Sequence, residues 1–147
     1  MLDYVNKVVT IALVFLMLVV APLTWVYVRD EMVTDRIVLN EVVAFIDRVT
    51  DKASITDQDL DDLYIAVNSS GGTYDVKVKR YVRASVNDGG IVRTVYIADS
   101  NVGSLNTGDV VKVTVKEVGV STTKRLLWSL LRIDMGKNQF SLAGSVR

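Results

Sequence analysis

The chain has 147 residues, half of them hydrophobic, and its 17 basic residues equal its 17 acidic residues in number. This balance gives no electrostatic reason to expect a nucleic-acid partner. The sequence contains neither Cys nor His. The composition therefore excludes disulfides, thiolate zinc sites, Cys nucleophiles and every catalytic arrangement in which His is the base.

Residues 8–28 form an uncharged apolar run, VVTIALVFLMLVVAPLTWVYV. At a rise of 1.5 Å per residue, about 20 helical residues cross a hydrocarbon core of about 30 Å. A secretory signal has a shorter apolar core of about 7–15 residues. A cut after Ala21 would also place Pro22 directly after the cleaved bond. We therefore predict a retained, single-pass membrane helix.

The orientation of this helix is weakly indicated, because the basic residues at its two ends are almost balanced. The segment before the run is too short to be the functional part of the protein. We predict a single-pass protein of the cell membrane, with its N-terminus inside the cell and its folded domain outside the cell.

The helix is expected to continue beyond the membrane, since residues 29–52 contain no Gly or Pro. Apolar residues in this stretch recur at spacings of three and four, which predicts one apolar stripe. The predicted stripe consists of Leu39, Val42, Ile46 and Val49. It is expected to pack on the chain's own C-terminal domain, on a neighbouring subunit's helix, or on both. The sequence thus predicts one long helix over residues 1–50, transmembrane in its first half and amphipathic in its second.

Residues 51–147 are predicted to form a small α+β domain. Thr56 and Asp59 have the spacing of a capping box, so a second helix should begin there and end at Gly71 or Gly72. Its predicted apolar face consists of Leu60, Leu63, Tyr64 and Val67.

From Thr73 onward the apolar period changes to two, which is typical of strands. The phase shifts after Arg80 and predicts a bulge or bend at residues 81–82. The turn sequences NDGG at residues 87–90 and NTGD at residues 106–109 separate further strands. The expected inward residues of the later strands are Val111, Val113, Val115, Phe140, Leu142 and Val146. The result is an antiparallel sheet with one apolar face, which the long helix and the second helix should cover.

The segment over residues 121–135 is a third helical candidate, rich in Leu and carrying Trp128. It is interpreted as a buried helix or loop packed under the sheet. The alternative is a hydrophobic subunit contact or a lip on the membrane surface.

No feature of the sequence indicates catalysis. It has no Gly-rich phosphate loop and no carboxylate pair set in a cleft. Asp57, Asp59 and Asp61 have the spacing of a calcium loop, but the Gly and the bidentate Glu that such a loop needs are missing. We therefore predict no enzyme activity, no cofactor and no metal site.

Basic and aromatic residues alternate in the predicted strands, and single-strand nucleic-acid binders combine the same residue types. The residues concerned are Lys77, Lys79, Arg80, Arg83 and Arg93, with Tyr74, Tyr81 and Tyr96 among them. A solvated outer sheet face with core tyrosines is the favoured interpretation, and no nucleic-acid partner is expected.

A long helix that is apolar first and amphipathic later, followed by a small antiparallel sheet domain, resembles the type IV pilin superfamily. Type IV pilins commonly carry a proline about 22 residues into the mature helix, and this chain has Pro22 at that distance from Met1. Proline removes a backbone donor and clashes with the carbonyl four residues back, so a bend near residues 18–22 is expected whatever the family.

The start of the chain adds a second similarity, because Asp3-Tyr4 resembles the early Glu-Tyr pair of Tad-type pilins. The resemblance implies that the acid neutralises the N-terminal amine of a neighbouring subunit inside an apolar filament core. In that family the acid is Glu at mature position five, where this chain has Val5. Either a leader ending in Gly was removed before Met1, or this is a pilin-like protein without ordinary processing. The layout is also similar to the TadE-like and conjugation-associated pilin-like proteins of Gram-positive bacteria.

The resemblance implies a structural subunit that leaves the cell membrane to join an extracellular filament. Its expected partners are copies of itself, membrane lipid before assembly, and the pilus assembly machinery. One alternative is a single-pass anchored component of a secretion or conjugation apparatus that does not polymerise. Another is a membrane-tethered domain that binds nucleic acid or polysaccharide.

Overall fold

A computed structural model of the chain describes residues 2–99, 101–119, 129 and 138–147. Helix α1 covers Leu2–Phe15, a π-helical turn covers Leu16–Val20, and helix α2 covers Ala21–Lys52. Every residue between the first and the last of these is helical, so the predicted long N-terminal helix is confirmed. Helix α3 follows at Asp57–Ser69.

Four antiparallel strands form one sheet in the order β2-β1-β3-β4. The strands are β1 at Thr73–Asp88, β2 at Ile91–Asp99, β3 at Val110–Gly119 and β4 at Gln139–Ser145. The predicted α+β class with an antiparallel sheet is therefore confirmed. The predicted helix over residues 121–135 lies outside the described residues, apart from Ser129.

The chain divides into two compact units, Met1–Arg36 and Ile37–Arg147. The boundary between these two units falls inside α2. The reason is that the second half of α2 contributes its apolar face to the same core as the sheet.

The buried face of α2 begins one residue earlier than the sequence predicts. Its buried members are Val38, Val42, Phe45, Ile46, Val49 and Thr50. Val42, Ile46 and Val49 thus lie in the core as expected, but Leu39 is 41% exposed. Successive residues point about 100° apart around a helix, so a face centred on Val38 and Val42 leaves Leu39 at its border. The apolar stripe includes Val38 and Phe45 in place of Leu39.

The sheet meets this helix with an alternating apolar face. Val111, Val113 and Val115 of β3 are fully buried, as the period of two predicts. Phe140 and Leu142 of β4 are partly buried against the same cluster, and the predicted inward Val146 is buried within it.

The helix and the sheet approach each other closely at Gly144. A Cβ atom at this position would collide with Cγ2 of Ile46 and lie 3.6 Å from Cγ2 of Thr50. Residue 144 must therefore lack a side chain for α2 to pack on β4 in this arrangement.

The predicted turns are present with the conformations that their residues favour. Gly89 and Gly90 adopt φ of +62° and +94°, and they close a two-residue hairpin in which Asp88 pairs with Ile91. The amide of Gly90 donates to Oδ1 of Asn87 over 3.0 Å. Positive φ at both loop residues matches the right-handed twist of the flanking strands, which is why NDGG indicated a hairpin.

The predicted bulge at residues 81–82 is wrong. The β1–β2 register runs without a break from Arg80 to Asp88, and the irregularity of β1 lies instead between Thr73 and Tyr74. The apparent phase shift arose because Arg80, a charged residue, occupies an inward position of the strand.

The capping box at the start of α3 is confirmed. The Thr56 hydroxyl accepts from the amide of Asp59 over 3.2 Å, and Oδ2 of Asp59 accepts from the Thr56 amide over 2.9 Å. The same Oδ2 accepts from the Thr56 hydroxyl over 2.6 Å and from Nζ of Lys52 over 3.1 Å. The hydrogen bonds from Thr56, with the weaker help of Lys52, lower the pKa of Asp59 to about 2, although burial opposes the shift.

This cap makes the second compact unit, Ile37–Arg147, sensitive to acid; we call it the sheet unit. The pKa of Asp59 is about 2 in the folded chain and about 3.9 in an unfolded chain. Its contribution to stability is therefore complete above about pH 4 and is lost as the pH falls through about 2. We expect the stability difference between the wild-type chain and Asp59→Asn to shrink over that interval in denaturant titrations followed by circular dichroism. A difference that stays constant from pH 5 to pH 2 would contradict the assignment.

Candidate functional site

Most apolar side chains of residues 2–28 are exposed. No residue of α1 is buried, and Leu13, Leu18 and Trp25 are 55%, 71% and 74% exposed. The helix contains an 18-residue window with a mean hydropathy of 2.5. By length and composition this is a possible membrane span, and a signal sequence close to an N-terminus has the same properties. The position and the apolar character of this helix define the first candidate site.

Pro22 is the second residue after the π-helical turn, which ends at Val20. Because proline has no N–H, the carbonyl of Leu18 loses the donor that a regular α-helix would give it. The amide of Ala21 donates to the carbonyl of Leu16, five residues back, so the turn before the proline is widened. The hydroxyl of Thr24 donates to the carbonyl of Val20 over 2.7 Å. The expected irregularity near residues 18–22 is thus a π-helical turn within a helix that continues.

We expect Pro22→Ala to restore regular α-helical hydrogen bonding through this turn. The substitution supplies the missing donor and removes a residue that costs about 3 kcal/mol more than Ala in a helix interior. Amide hydrogen exchange in detergent micelles should slow at residues 18–21, and Ala44→Ser in the exposed part of α2 is a control. Unchanged exchange at these residues would show that the proline does not cause the π-helical turn.

Asp3 and Tyr4 lie in the first turn of α1, and Tyr4 is 75% exposed. A carboxylate in this position is favoured by the partial positive charge of the helix N-terminus. Nineteen residues separate Asp3 from Pro22, a distance of about 28 Å along the helix. The fold therefore spreads these two predicted residues along one exposed helix, whereas it gathers Val42, Ile46 and Val49 in the core.

A shallow groove on α2, which the sequence reading missed, follows the apolar run. It is lined by Trp25, Val28, Arg29, Met32, Val33 and Arg36. Trp is enriched where helices cross the membrane–water interface, and Arg keeps its charge in water while its stem covers apolar surface. The spacing of four between Trp25 and Arg29 is the signal that could have identified this end of the span.

A buried ion pair, also missed in the sequence reading, joins β1 to the turn before β3. Arg80 and Asp109 are 6% and 2% exposed. Oδ2 of Asp109 accepts from Nη2 of Arg80 over 2.6 Å and from Nε over 2.9 Å. Nη1 of Arg80 lies 3.5 Å from Oδ2 of Asp99 and donates to the carbonyl of Asn101 over 3.3 Å.

Backbone amides complete the environment of Asp109. Its Oδ2 accepts from the amide of Asn106 over 2.9 Å, and its Oδ1 accepts from the amide of Arg83 over 3.3 Å. Burial alone would raise the pKa of Asp109, but the Asn106 amide, the Arg80 guanidinium and the Arg83 amide together lower it. The carboxylate therefore stays charged, and its geometry is that of a structural crosslink between β1 and the turn before β3.

The structure places the alternating basic and aromatic residues of the predicted strands on two different sides of the sheet. Arg80 is buried, Tyr74 packs against the core, and Arg93 pairs with Val86 on the helix-covered side of the sheet. The remaining members lie on the opposite side, which we call the outer sheet face. From β1 and β3 this face presents Lys77, Lys79, Tyr81, Arg83, Lys112 and Lys116.

Within residues 2–99, 101–119, 129 and 138–147, no three acidic side chains gather in a way that could hold a metal ion. No protein family model, no curated protein and no solved structure matches the chain. The functional argument therefore depends on the exposed apolar helix and on the charged surfaces of the sheet unit.

Proposed function

We propose that this protein is a non-enzymatic structural subunit that assembles through its N-terminal helix into an extracellular filament similar to a type IV or Tad pilus. One observation carries the proposal. An apolar helix, α1, in which no residue is buried continues residue by residue into α2, whose second half forms part of the sheet unit's core.

The exposed apolar surface requires a partner. Water disfavours it by about 25 cal/mol for each Å² of apolar area. Membrane lipid satisfies this requirement before assembly, and the helices of other copies can satisfy it afterwards. Packing of this kind is heterologous and repeats without closing, which produces a filament.

Asp3 is the residue on which this assembly depends electrostatically. An ionised carboxylate in an apolar bundle is strongly unfavourable unless an opposite charge lies close to it. The N-terminal amine of the neighbouring copy is the partner we assign to it. Tyr4 offers a hydroxyl beside this pair, and the π-helical turn before Pro22 gives the helix a place where its backbone hydrogen bonding can adjust during packing.

We expect Asp3→Ala to reduce the yield of sheared filaments at least tenfold, because the amine of the neighbouring copy would be left unpaired in an apolar environment. Electron microscopy of sheared material and quantitative immunoblotting measure this yield. Asp30→Ala, at an exposed position just beyond the apolar run, is the matched control. Wild-type yield from the Asp3→Ala chain would show that the charge pairing is wrong.

Negative-stain microscopy of material sheared from cells tests the function itself. Fibres that bind an antibody against the sheet unit support a filament subunit. Cells that display the chain in their membrane but release no fibre would favour the second candidate, an anchored component of a secretion or conjugation apparatus. The groove at Trp25 and Arg29 suits both candidates, because each requires a helix that is fixed at the membrane interface.

A further inference from the structure

We propose that the outer sheet face of one copy docks on the exposed side of α3 of the next copy. The inference rests on the proposed function in one respect, because it describes how sheet units meet once the helices bring them together.

Like charges adjoin on the outer sheet face. Lys79 of β1 is directly opposite Lys112 of β3, and like charges in this cross-strand position are destabilising. Lys77 has a salt bridge to Asp75 over 3.3 Å. Within the described part of the chain, no carboxylate forms a salt bridge with Lys79 or Lys112. An anionic surface from outside the chain would relieve this repulsion.

Helix α3 presents such a surface. It contains four Asp and no basic residue between Asp57 and Ser69. The carboxylate of Asp59 is bound within the capping box. The other three, Asp57, Asp61 and Asp62, are exposed. Ile65 lies four residues after Asp61, on the same side of the helix, and is 68% exposed.

Each face has exposed apolar residues beside its charges. On the outer sheet face Tyr96 of β2 pairs with Arg83 and is 52% exposed, and Val92 on the same side is 69% exposed. On α3 the corresponding residue is Ile65. Complementary charges fix the register and speed the encounter, while the apolar residues provide the contact that excludes water.

The two faces lie on opposite sides of one compact unit. Val76 and Val113 face the core that α3 helps to cover, and Lys77 and Lys112, their neighbours in the strands, face away from it. One copy can therefore dock on a second and receive a third. Such a contact is heterologous and repeats, and a chain with no net charge can form it without accumulating repulsion.

The absence of Cys from the sequence makes the contact directly testable. Two full-length chains, one with Ile65→Cys and one with Tyr96→Cys, are expressed together and oxidised in membranes and in sheared material. We expect a mixed disulfide between the two chains in preference to a disulfide between two identical chains. Equal crosslinking of identical chains, or none, would overturn the proposed contact.

Charge reversal provides a second test of the proposed contact. Asp61→Lys with Asp62→Lys should lower the mixed crosslink about tenfold, and Lys79→Glu with Lys112→Glu should do the same. Combining the four changes in one chain should restore most of the crosslink, because opposite charges then face each other again. Asp47→Lys, on the exposed side of α2, is the matched control and should leave the yield unchanged. Failure of the combined chain to recover, with the single-face reversals still folded by circular dichroism, would contradict the complementarity.

The outcome separates this contact from the proposed function. Fibres without the mixed crosslink would leave a filament subunit whose sheet units meet by other surfaces. A mixed crosslink in membranes without fibres would support the proposed contact and contradict the proposed filament. Loss of binding to phosphatidylglycerol vesicles or to single-stranded DNA on Lys79→Glu with Lys112→Glu, with unchanged crosslinking, would assign the basic face to that anion and overturn the contact.

Discussion

Asp109→Ala is expected to destabilise the sheet unit by about 3–5 kcal/mol, the usual cost of leaving one member of a buried ion pair without its partner. The change leaves the guanidinium of Arg80 buried beside an apolar side chain. It also removes the acceptor of the Asn106 and Arg83 amides. Denaturant titration of the full-length chain in detergent micelles, followed by circular dichroism in the strand region, measures the loss.

Two further variants decide whether the loss comes from an unpaired charge. Lys79→Ala removes an exposed cation from the same strand and should change stability by no more than about 0.5 kcal/mol. Arg80→Met combined with Asp109→Leu removes both charges and should recover most of the loss, because buried ion pairs can often be replaced by apolar residues of similar volume. A double variant as unstable as Asp109→Ala would show instead that the hydrogen bonds to the turn amides dominate.

Leu18→Lys should abolish stable membrane insertion of the N-terminal helix. Residue 18 is at the centre of the apolar run and is 71% exposed, so an ammonium group there would meet hydrocarbon. Exchanging Leu for Lys at the centre of a span costs about 3–4 kcal/mol on insertion scales. Carbonate extraction of isolated membranes should move the variant to the soluble fraction.

The matched control is Leu2→Lys, the same exchange at a residue that is 85% exposed but lies outside the apolar run. This chain should stay in the membrane pellet. A Leu18→Lys chain that also stays in the pellet would show that the helix does not lie in the bilayer with this residue at its centre. Loss of filaments together with loss of insertion would follow from the assembly route proposed above.

The sequence allowed most of the fold to be predicted, because its local signals agree with one another. NDGG requires a hairpin, Thr56 and Asp59 form a capping box, and the alternation around Val113 requires a strand. Each signal depends on neighbouring residues alone. The two errors arose where a residue's role depends on a distant part of the chain.

Arg80 illustrates this. Because Arg80 is charged, it was interpreted as a break in the apolar alternation of β1. Its ion pair with Asp109, 29 residues later in the chain, explains why a cation can occupy an inward position of the strand. Leu39 is the converse case. It fits an apolar period of three and four as well as Val38 does, and the choice between them depends on where the sheet contacts the helix.

The candidate site was less predictable than the fold. Asp3, Tyr4 and Pro22 carry the resemblance to type IV pilins, and the roles proposed for them require contacts with other copies of the chain. The basic residues of the predicted strands were interpreted as one solvated outer sheet face. Strand register assigns two of them, Arg83 and Arg93, to opposite sides of the sheet. Side-chain direction in a strand alternates, so a shift of one residue changes the face that each charge occupies.

The π-helical turn at Leu16–Val20 also affects how this helix is compared with others. It adds one residue to a turn, so each side chain after it is rotated by about 100° from the position that regular counting gives. An alignment with a helix that lacks the turn needs a single-residue gap there to keep equivalent faces together. A heptad pattern counted straight through residues 16–20 would assign the residues of α2 to the wrong sides of the helix.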